Sequence, residues 1–398
     1  MKAWIATGTV VLAMLGTATA FAQNGLHLIS PVDATIGREY GILVDDRKLT
    51  DTILVLRPSQ LTFKSNSPRA DFTAGYQPEL ELFDNNRHLN ALNHAGIASF
   101  KFRLTERLTF NATDEAMVTK DPTRSIAGSL MLLPRSGFKQ NMAHAAVNFA
   151  LTSRNTVSFS FDNVAASAPF NATAVSATGN VRNAGTVSFA RTFARKQVLT
   201  GTYSLLSARA QFIGTAYESE LARDLTLHLS GGLLKDGGKN YLMSAQVDKR
   251  VGGLWVNGGY HRFLSIFGTS VPGGIPIGND LVLPDSVSRS NTYQVYTAGF
   301  SGKLSTRTLI EVRAAATRND SGTAGHDINN TLGRFKLSYG LTDRLCGYAD
   351  LQLYNQTFNV YVGDPINRSR YVAGIQLDIS PNPNHVANHP GQTKPSKR

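Results

Sequence analysis

The chain has 398 residues, a formal charge of +12, 35 glycines, 20 phenylalanines, 13 tyrosines and a single cysteine. That length would accommodate two or three soluble domains, yet no shift of composition divides it. Cys346, alone, excludes an internal disulfide, and the Lys and Arg residues are spread along the chain rather than gathered into a patch, which argues against a nucleic-acid partner.

The first segment reads as an export signal. Lys2 precedes an apolar stretch from Ile5 to Leu15, and small residues follow, ending Ala20-Phe21-Ala22. This is the pattern of a secretory signal peptide over 1–22, cut before Gln23. The apolar core falls short of the ~20 residues that a spanning helix needs. Lys2 leaves with the signal, and Lys394, Lys397 and Arg398 belong to a Pro-, Asn- and His-rich stretch, 380–398, expected to be a disordered periplasmic tail. The remaining basic excess has two readings of equal weight: an anion-attracting lumen, or decoration of turns and rims beside anionic headgroups.

From there the chain alternates. Segment 23–51 is assigned as an N-terminal piece holding a first strand within Ala34 to Leu43, followed by a strand from Thr52 to Lys64. Sixteen further runs lie near 70–83, 91–104, 107–117, 141–152, 155–163, 182–193, 197–207, 212–222, 224–234, 240–250, 253–266, 290–304, 308–318, 329–341, 344–356 and 368–379. In one of these, Phe335, Leu337 and Tyr339 share a face while Arg334, Lys336 and Ser338 share the other. In another, Phe100, Phe102 and Leu104 oppose Ser99, Lys101 and Arg103. Period two of this quality means strands with one apolar and one polar face.

A soluble sandwich would also alternate. Here the runs last about ten residues, against the ~5–6 typical of soluble strands. No helical period interrupts them, and the polar faces carry both signs of charge. The expected fold is therefore all-β: a transmembrane antiparallel up-and-down β-barrel over 52–379, closed by the N-terminal strand, with about 18 strands and 16 as the fallback. Its apolar rows face lipid and its polar rows face the lumen. Closure follows from the solvent, because hydrocarbon offers no partner to the backbone of a sheet edge.

Similar polar turns join the runs in pairs. Leu104-Thr105-Glu106-Arg107-Leu108, Leu221 to Leu225, Leu304 to Leu309 and Leu341 to Leu345 each end one run and start the next. These mark the periplasmic side, and the long connections 84–90, 118–140, 164–181, 208–211, 235–239, 267–289, 319–328 and 357–367 mark the external side. Within 267–289 the run from Gly268 to Pro276 is the candidate constriction or partner contact.

The predicted lumen residues are Lys101, Arg103, Arg334, Lys336, Arg313, Glu79, Glu81, Glu218 and Glu220. Mild anion selectivity is expected from the basic excess. No catalytic residue, cofactor or metal site is assigned. Gly-x-Ser-x-Gly and His-Glu-x-x-His motifs are missing, and His88 and His94 beside Asp84 form only a weak acid–base candidate. His144 and His228 fall on polar faces. Asp45-Asp46, and Asn279-Asp280 with Asp285, read as solvated loop acids, and His385 and His389 as incidental. Tyr76, Phe83, Phe110, Tyr241, Trp255, Tyr260, Tyr296, Tyr354 and Tyr371 lie near strand ends, where rings anchor at headgroup level or pack in the lumen.

A family likeness appears between Thr52 and Leu108. Ser67-Pro68-Arg69-Ala70-Asp71-Phe72 leads into Gly75-Tyr76-Gln77-Pro78-Glu79-Leu80-Glu81-Leu82-Phe83, then Asn86 to His94 and Leu104 to Leu108. This resembles the porin-type outer-membrane β-barrel proteins of Gram-negative-type bacteria, some found with exopolysaccharide secretion systems. The resemblance implies residence in the bacterial outer membrane, contact with its lipid and, for some members, envelope secretion components as partners. It carries over no site residue. Gly374, Leu377 and Ile379 are also similar to the final strand of such barrels, with Ile379 in place of the usual aromatic. The implied function is passive passage of small polar solutes or export of a saccharide. The alternative is a non-conducting structural or adhesion barrel. Monomer and trimer read alike at this stage.

Overall fold

The computed structural model describes residues 25–28, 31–44, 47–121, 135, 137–167, 180–194, 196–206, 210–235, 239–264, 292–320, 329–357 and 365–378. The expected signal peptide, the C-terminal tail and the Gly268–Pro276 run lie outside these residues.

Twenty strands build one sheet that closes on itself. They are β1 (Gly25–Leu28), β2 (Val32–Val44), β3 (Arg47–Arg57), β4 (Leu61–Asn66), β5 (Ala70–Phe83), β6 (Ala91–Arg103), β7 (Leu108–Thr119), β8 (Phe138–Ala150), β9 (Asn155–Ser167) and β10 (Asn180–Ala194). The rest are β11 (Gln197–Leu206), β12 (Ala210–Ala222), β13 (Leu225–Lys235), β14 (Lys239–Val251), β15 (Leu254–Leu264), β16 (Thr292–Lys303), β17 (Thr308–Asp320), β18 (Asn329–Gly340), β19 (Leu345–Gln356) and β20 (Ile366–Leu377). From β5 onward each pairs antiparallel with its chain neighbour, and β20 returns to β2 with Leu377 opposite Val32 and Ser369 opposite Tyr40.

The barrel has 18 staves, because its first two are broken. β3 covers the upper part of β5 (Ile53 to Leu56 against Phe83 to Leu80), and β4 covers the lower part (Leu61 to Asn66 against Tyr76 to Asp71). β1 continues the line of β2 and pairs with β4. The two breaks face each other and contain Pro31 and Pro58, which have no N–H to give to a ladder. The strand expected over Thr52 to Lys64 is thus real but interrupted, and the strand sought in Ala34 to Leu43 is β2.

The periplasmic turns share a chemical device. The hydroxyl of Thr105 accepts hydrogen bonds from the Arg107 and Leu108 amides at 3.2 and 3.0 Å. Thr342 does the same for Arg344 and Leu345, and Ser305 for Arg307 and Thr308. Thr152, in the turn between β8 and β9, does so for Arg154 and Asn155. A side-chain oxygen here replaces the turn's missing ladder partner. The Leu221 to Leu225 turn lacks that hydroxyl and turns instead through Asp224 at φ 63°.

The outer surface is greasy and the inner wall polar. Phe159 and Phe161 are 53% and 51% exposed, whereas Glu39 and Glu81 are at 0%. Phe335, Leu337 and Tyr339 are all exposed on one face of β18, while Ser338 is buried on the other. That is the reverse of a water-soluble sheet and the arrangement hydrocarbon requires.

Closure brings the β2 and β20 backbones unusually close. A Cβ on Gly41, which sits at φ +69° in a bulge between Tyr40 and Ile42, would lie 2.0 Å from the Asn367 carbonyl oxygen. Neither strain nor clash is relieved by a side chain moving away. We expect Gly41→Val to abolish the folded, heat-modifiable species on cold SDS gels. Gly201→Ala, where a Cβ meets open space, should leave stability within about 0.5 kcal/mol.

Candidate functional site: the lumen and its charged network

With apolar rows outside, the remaining row of every stave points inward. The nine residues singled out from the sequence all fall on inward rows. Glu79 accepts from Arg57 Nε at 3.0 Å and from Asn93 Nδ2 at 3.3 Å. Arg334 donates to Asp350 at 2.8 and 3.1 Å and lies 3.6 Å from Glu311, which also holds Arg313 at 2.8 Å. The Lys336 ammonium lies 4.2 Å from the Tyr348 ring centre. Glu220 pairs with Lys196 at the lower rim, and Glu218 is 3.9 Å from His228 Nδ1. Lys101 is opposite Asp71 on the adjoining stave, with Arg103 at the strand end. Glu81 belongs to a separate, dry cluster.

That cluster is the most distinctive part of the interior. The connection 84–90, expected to lie outside, turns back into the barrel, and so do Asp121 and Arg135 at the two ends of the next one. Asp51, on the inner face of β3, accepts from the Asn85 and Asn86 amides at 3.1 and 2.7 Å and from both their side chains. This grip folds 84–90 over the wall and places Leu89 in a buried apolar group with Ile42, Ile53, Val55 and Phe83. Arg135 then packs above the Phe83 ring, 4.6 Å from its centre.

Asp121 and Arg135 begin and end the connection between β7 and β8, and both side chains are buried in the lumen. Arg135 donates to Asp121 at 3.1 Å and to Glu81 at 2.5 Å. Arg368 of β20 donates to Glu39 of β2 at 2.6 Å and pairs with Asp121. Two guanidiniums and three carboxylates thus link β2, β5, β20 and the β7–β8 connection across the closing seam. The Arg135 amide also donates to the Leu43 carbonyl at 2.9 Å. Charges removed from water in this way contribute little net stability, but they fix position, since removing one partner strands another.

Lower on the seam, Tyr348 Oη donates to Asp33 at 2.7 Å and shares a 2.6 Å hydrogen bond with Thr35. The opposite wall carries isolated pairs: the partly exposed His144 with Asp162 at 2.6 Å and His228 with Asp248 at 3.5 Å, and the buried Ser244 with His261 at 2.7 Å. His94 does not converge with His88 and Asp84. It faces outward and bonds to the Tyr76 hydroxyl at 2.6 Å. Among the described residues no group of three or more His, Cys, Asp or Glu is arranged to hold a metal. Of the aromatic residues, Tyr76, Tyr241, Tyr296 and Tyr371 are exposed on the outside, whereas Phe83 packs in the interior.

The wall does not concentrate positive charge. Its bases sit beside acids, and arginines recur in the periplasmic turns at Arg107, Arg154, Arg223, Arg307 and Arg344. Sequence reasoning missed Asp51, Asp121, Arg135, Glu39 and Arg368. Only Glu39 and Arg368 lay within runs where strand alternation gave a signal, on inward rows of the first and last staves.

No protein-family model matches the chain, and no curated protein does. Solved structures do. Pseudomonas aeruginosa OccK2 (OpdF), in a complex with glucuronate, aligns at a TM-score of 0.50 and 11% identity over 89% of this chain and 99% of its own. Pseudomonas aeruginosa OccK7 (OpdD) gives the same four values. Acinetobacter baumannii OccAB4 aligns at 0.46 and 8% identity over 88% and 98%. At such identities the likeness is one of fold, and the two OccK structures carry it: this chain is a closed 18-strand antiparallel barrel.

Replacing Asp121 by alanine leaves Arg135 and Arg368 buried without their shared carboxylate. We expect a loss of about 3–5 kcal/mol in urea unfolding from lipid vesicles. Glu106→Ala, in an exposed turn, should cost no more than about 0.5 kcal/mol.

Proposed function

We propose that the protein is a passive pore of the bacterial outer membrane for small polar solutes. The observation that carries this reading is the inverted barrel: 18 staves with greasy rows outward and charged, hydroxyl and amide rows inward. A closed barrel of this size leaves an aqueous channel. The buried network occupies the interior beside the seam, while the opposite wall is lined by polar side chains, of which His144 and Asp162 are partly exposed. Solutes then cross by diffusion past side chains that replace part of their hydration.

The nine lumen residues act in this reading as a charge-balanced lining. The anion preference expected from the net charge is replaced by weak selectivity, because the excess basic residues sit largely in turns. Saccharide-polymer export, the finer role implied by the family resemblance, would require a long chain to thread past the buried Asp121, Arg135 and Arg368 side chains. Small solutes fit that interior better. Glucuronate bound to OccK2 makes a sugar carboxylate a reasonable probe. The fold likeness supports a channel rather than an enzyme.

Planar-bilayer recording with the refolded chain tests the proposal. We expect discrete, long-lived conductance steps, blocked progressively by larger neutral polymers, and a reversal potential near zero in a potassium chloride gradient. Absence of steps from verified folded protein would favour the non-conducting structural barrel. A strong cation or anion preference would overturn the balanced-lining reading.

A further inference from the structure

The lipid-facing surface is uniform except at two places. Its rows are dominated by side chains such as Leu229, Leu233, Val247, Phe335 and Leu337. Charged residues on it, among those described, cluster near strand ends, as Lys235 and Arg318 do at the external end and Arg191 and Lys249 at the periplasmic end. Arg38 and Asp114 do not. On the side of β20 and β19, Arg38 is in register with Tyr371 and Leu351, each five residues or more from the ends of its strand, and Asp114 lies in the middle of β7. Both therefore stand away from the strand ends, within the apolar belt. Across the seam, Leu351 shares Arg38's row through Tyr371, which confirms that this level faces hydrocarbon.

Both side chains point outward. Arg38 is exposed, its guanidinium 5.3 Å from the ring centre of Tyr40, itself 40% exposed. Asp114 is exposed and accepts from Asn141 Nδ2 at 2.8 Å. No acid lies on the outer rows of β3 or β20 beside Arg38 among the described residues. On the neighbouring rows of Asp114 the nearest basic side chains are His94 and Lys139, each four residues along from its cross-strand partners Ala98 and Ala143. Each charge thus stands in the belt without an intramolecular counter-charge, a placement that lipid strongly disfavours.

Their surroundings differ in shape. Around Asp114 the outer rows carry Ala98, Ala112, Ala116, Ala143 and Ala145, and a second outward amide pair, Asn163 with Asn183 at 2.7 Å, continues the polar surface onto β9 and β10. This is a flat recess where another backbone can approach closely. Around Arg38 the guanidinium projects beside Tyr40 and Tyr371, which meet edge to face. One patch protrudes with positive charge, and the other recedes with negative charge.

We propose that copies of this chain associate side by side in the membrane, Arg38 of one docking against Asp114 of the next. Like charges forbid the two-fold arrangement, in which each patch would meet itself, so the contact is head-to-tail and closes as a ring. The patches are four staves apart, through β3, β5 and β6, or about 80° on an 18-stave barrel. Rings of three and four copies need contacts about 60° and 90° apart, so either size closes with a small adjustment. The inference rests on the outer surface alone and stands whether or not the lumen conducts.

The test uses the full-length chain in native outer membranes, with Cys346→Ala as background. Arg38→Cys and Asp114→Cys in one chain should give an oxidation ladder that ends at three or four copies. Within a chain these positions are too far apart to bridge. Either cysteine alone should give no ladder. By native mass spectrometry in mild detergent, Arg38→Asp should lower the oligomeric share at least tenfold, and Arg38→Asp with Asp114→Arg should restore it. Heat-modifiable gel mobility confirms that each variant folds. A monomeric parent chain, a double-cysteine variant without a ladder, or a single charge reversal that keeps the parent assembly would each overturn the proposal.

Discussion

The structure depends on one pairing, that of β2 with β20. Hydrocarbon supplies no hydrogen-bond partners, so the sheet persists there only if its first stave finds its last. The sequence makes that seam close-packed. Gly37 and Gly41 admit the opposing backbone where a Cβ would lie 2.1 and 2.0 Å from the Tyr371 and Asn367 carbonyl oxygens. Asp33, Thr35 and Tyr348 tie its lower half, while Glu39 and Arg368 tie its upper half. The ladder is interrupted only beside it, at Pro31 and Pro58, where β1 and β4 carry the pairing on downward.

Closure also decides the character of the interior. Once every stave turns its apolar row to lipid, the second row must face an enclosed aqueous space, and charge becomes tolerable there. The chain uses that freedom unevenly. Beside the seam it builds a dry network around Asp121 and Arg135, whose exact partners hold the ends of an external connection inside the barrel. Away from the seam the same rows carry solvated pairs such as His144 with Asp162. An interior that is part anchor and part hydrated wall follows from where burial forces charges to pair.

Much of this was legible in the amino-acid pattern, for a physical reason. Side chains alternate with a period of two whatever the tertiary setting, so runs such as Phe335 to Tyr339 disclose both a strand and its two faces. Turn chemistry is equally local: Thr105 and Thr342 cap their own turns within three residues. The interior network is the opposite case. Glu39 and Arg368 lie 329 residues apart, and Asp121 and Arg368 lie 247 apart. Neither Asp121 nor Arg135 belongs to a strand, so no periodicity flags them. Net charge is equally silent on position, because it does not record whether an arginine sits in a turn or a lumen. Asp114 and Asn141 show a further gap: alternation marks them as outward only after the register of β7 and β8 is known.

The central claim is the inversion of the two faces, and accessibility of paired spin labels tests it most directly. In a Cys346→Ala background, labels at positions 335 and 336, on adjoining residues of β18, are compared in lipid vesicles for collision with oxygen and with a water-soluble nickel chelate. The account gives oxygen-dominated relaxation at 335 and chelate-dominated relaxation at 336. Chelate access at 335 with oxygen dominance at 336, or no lipid signature at either site, would contradict it.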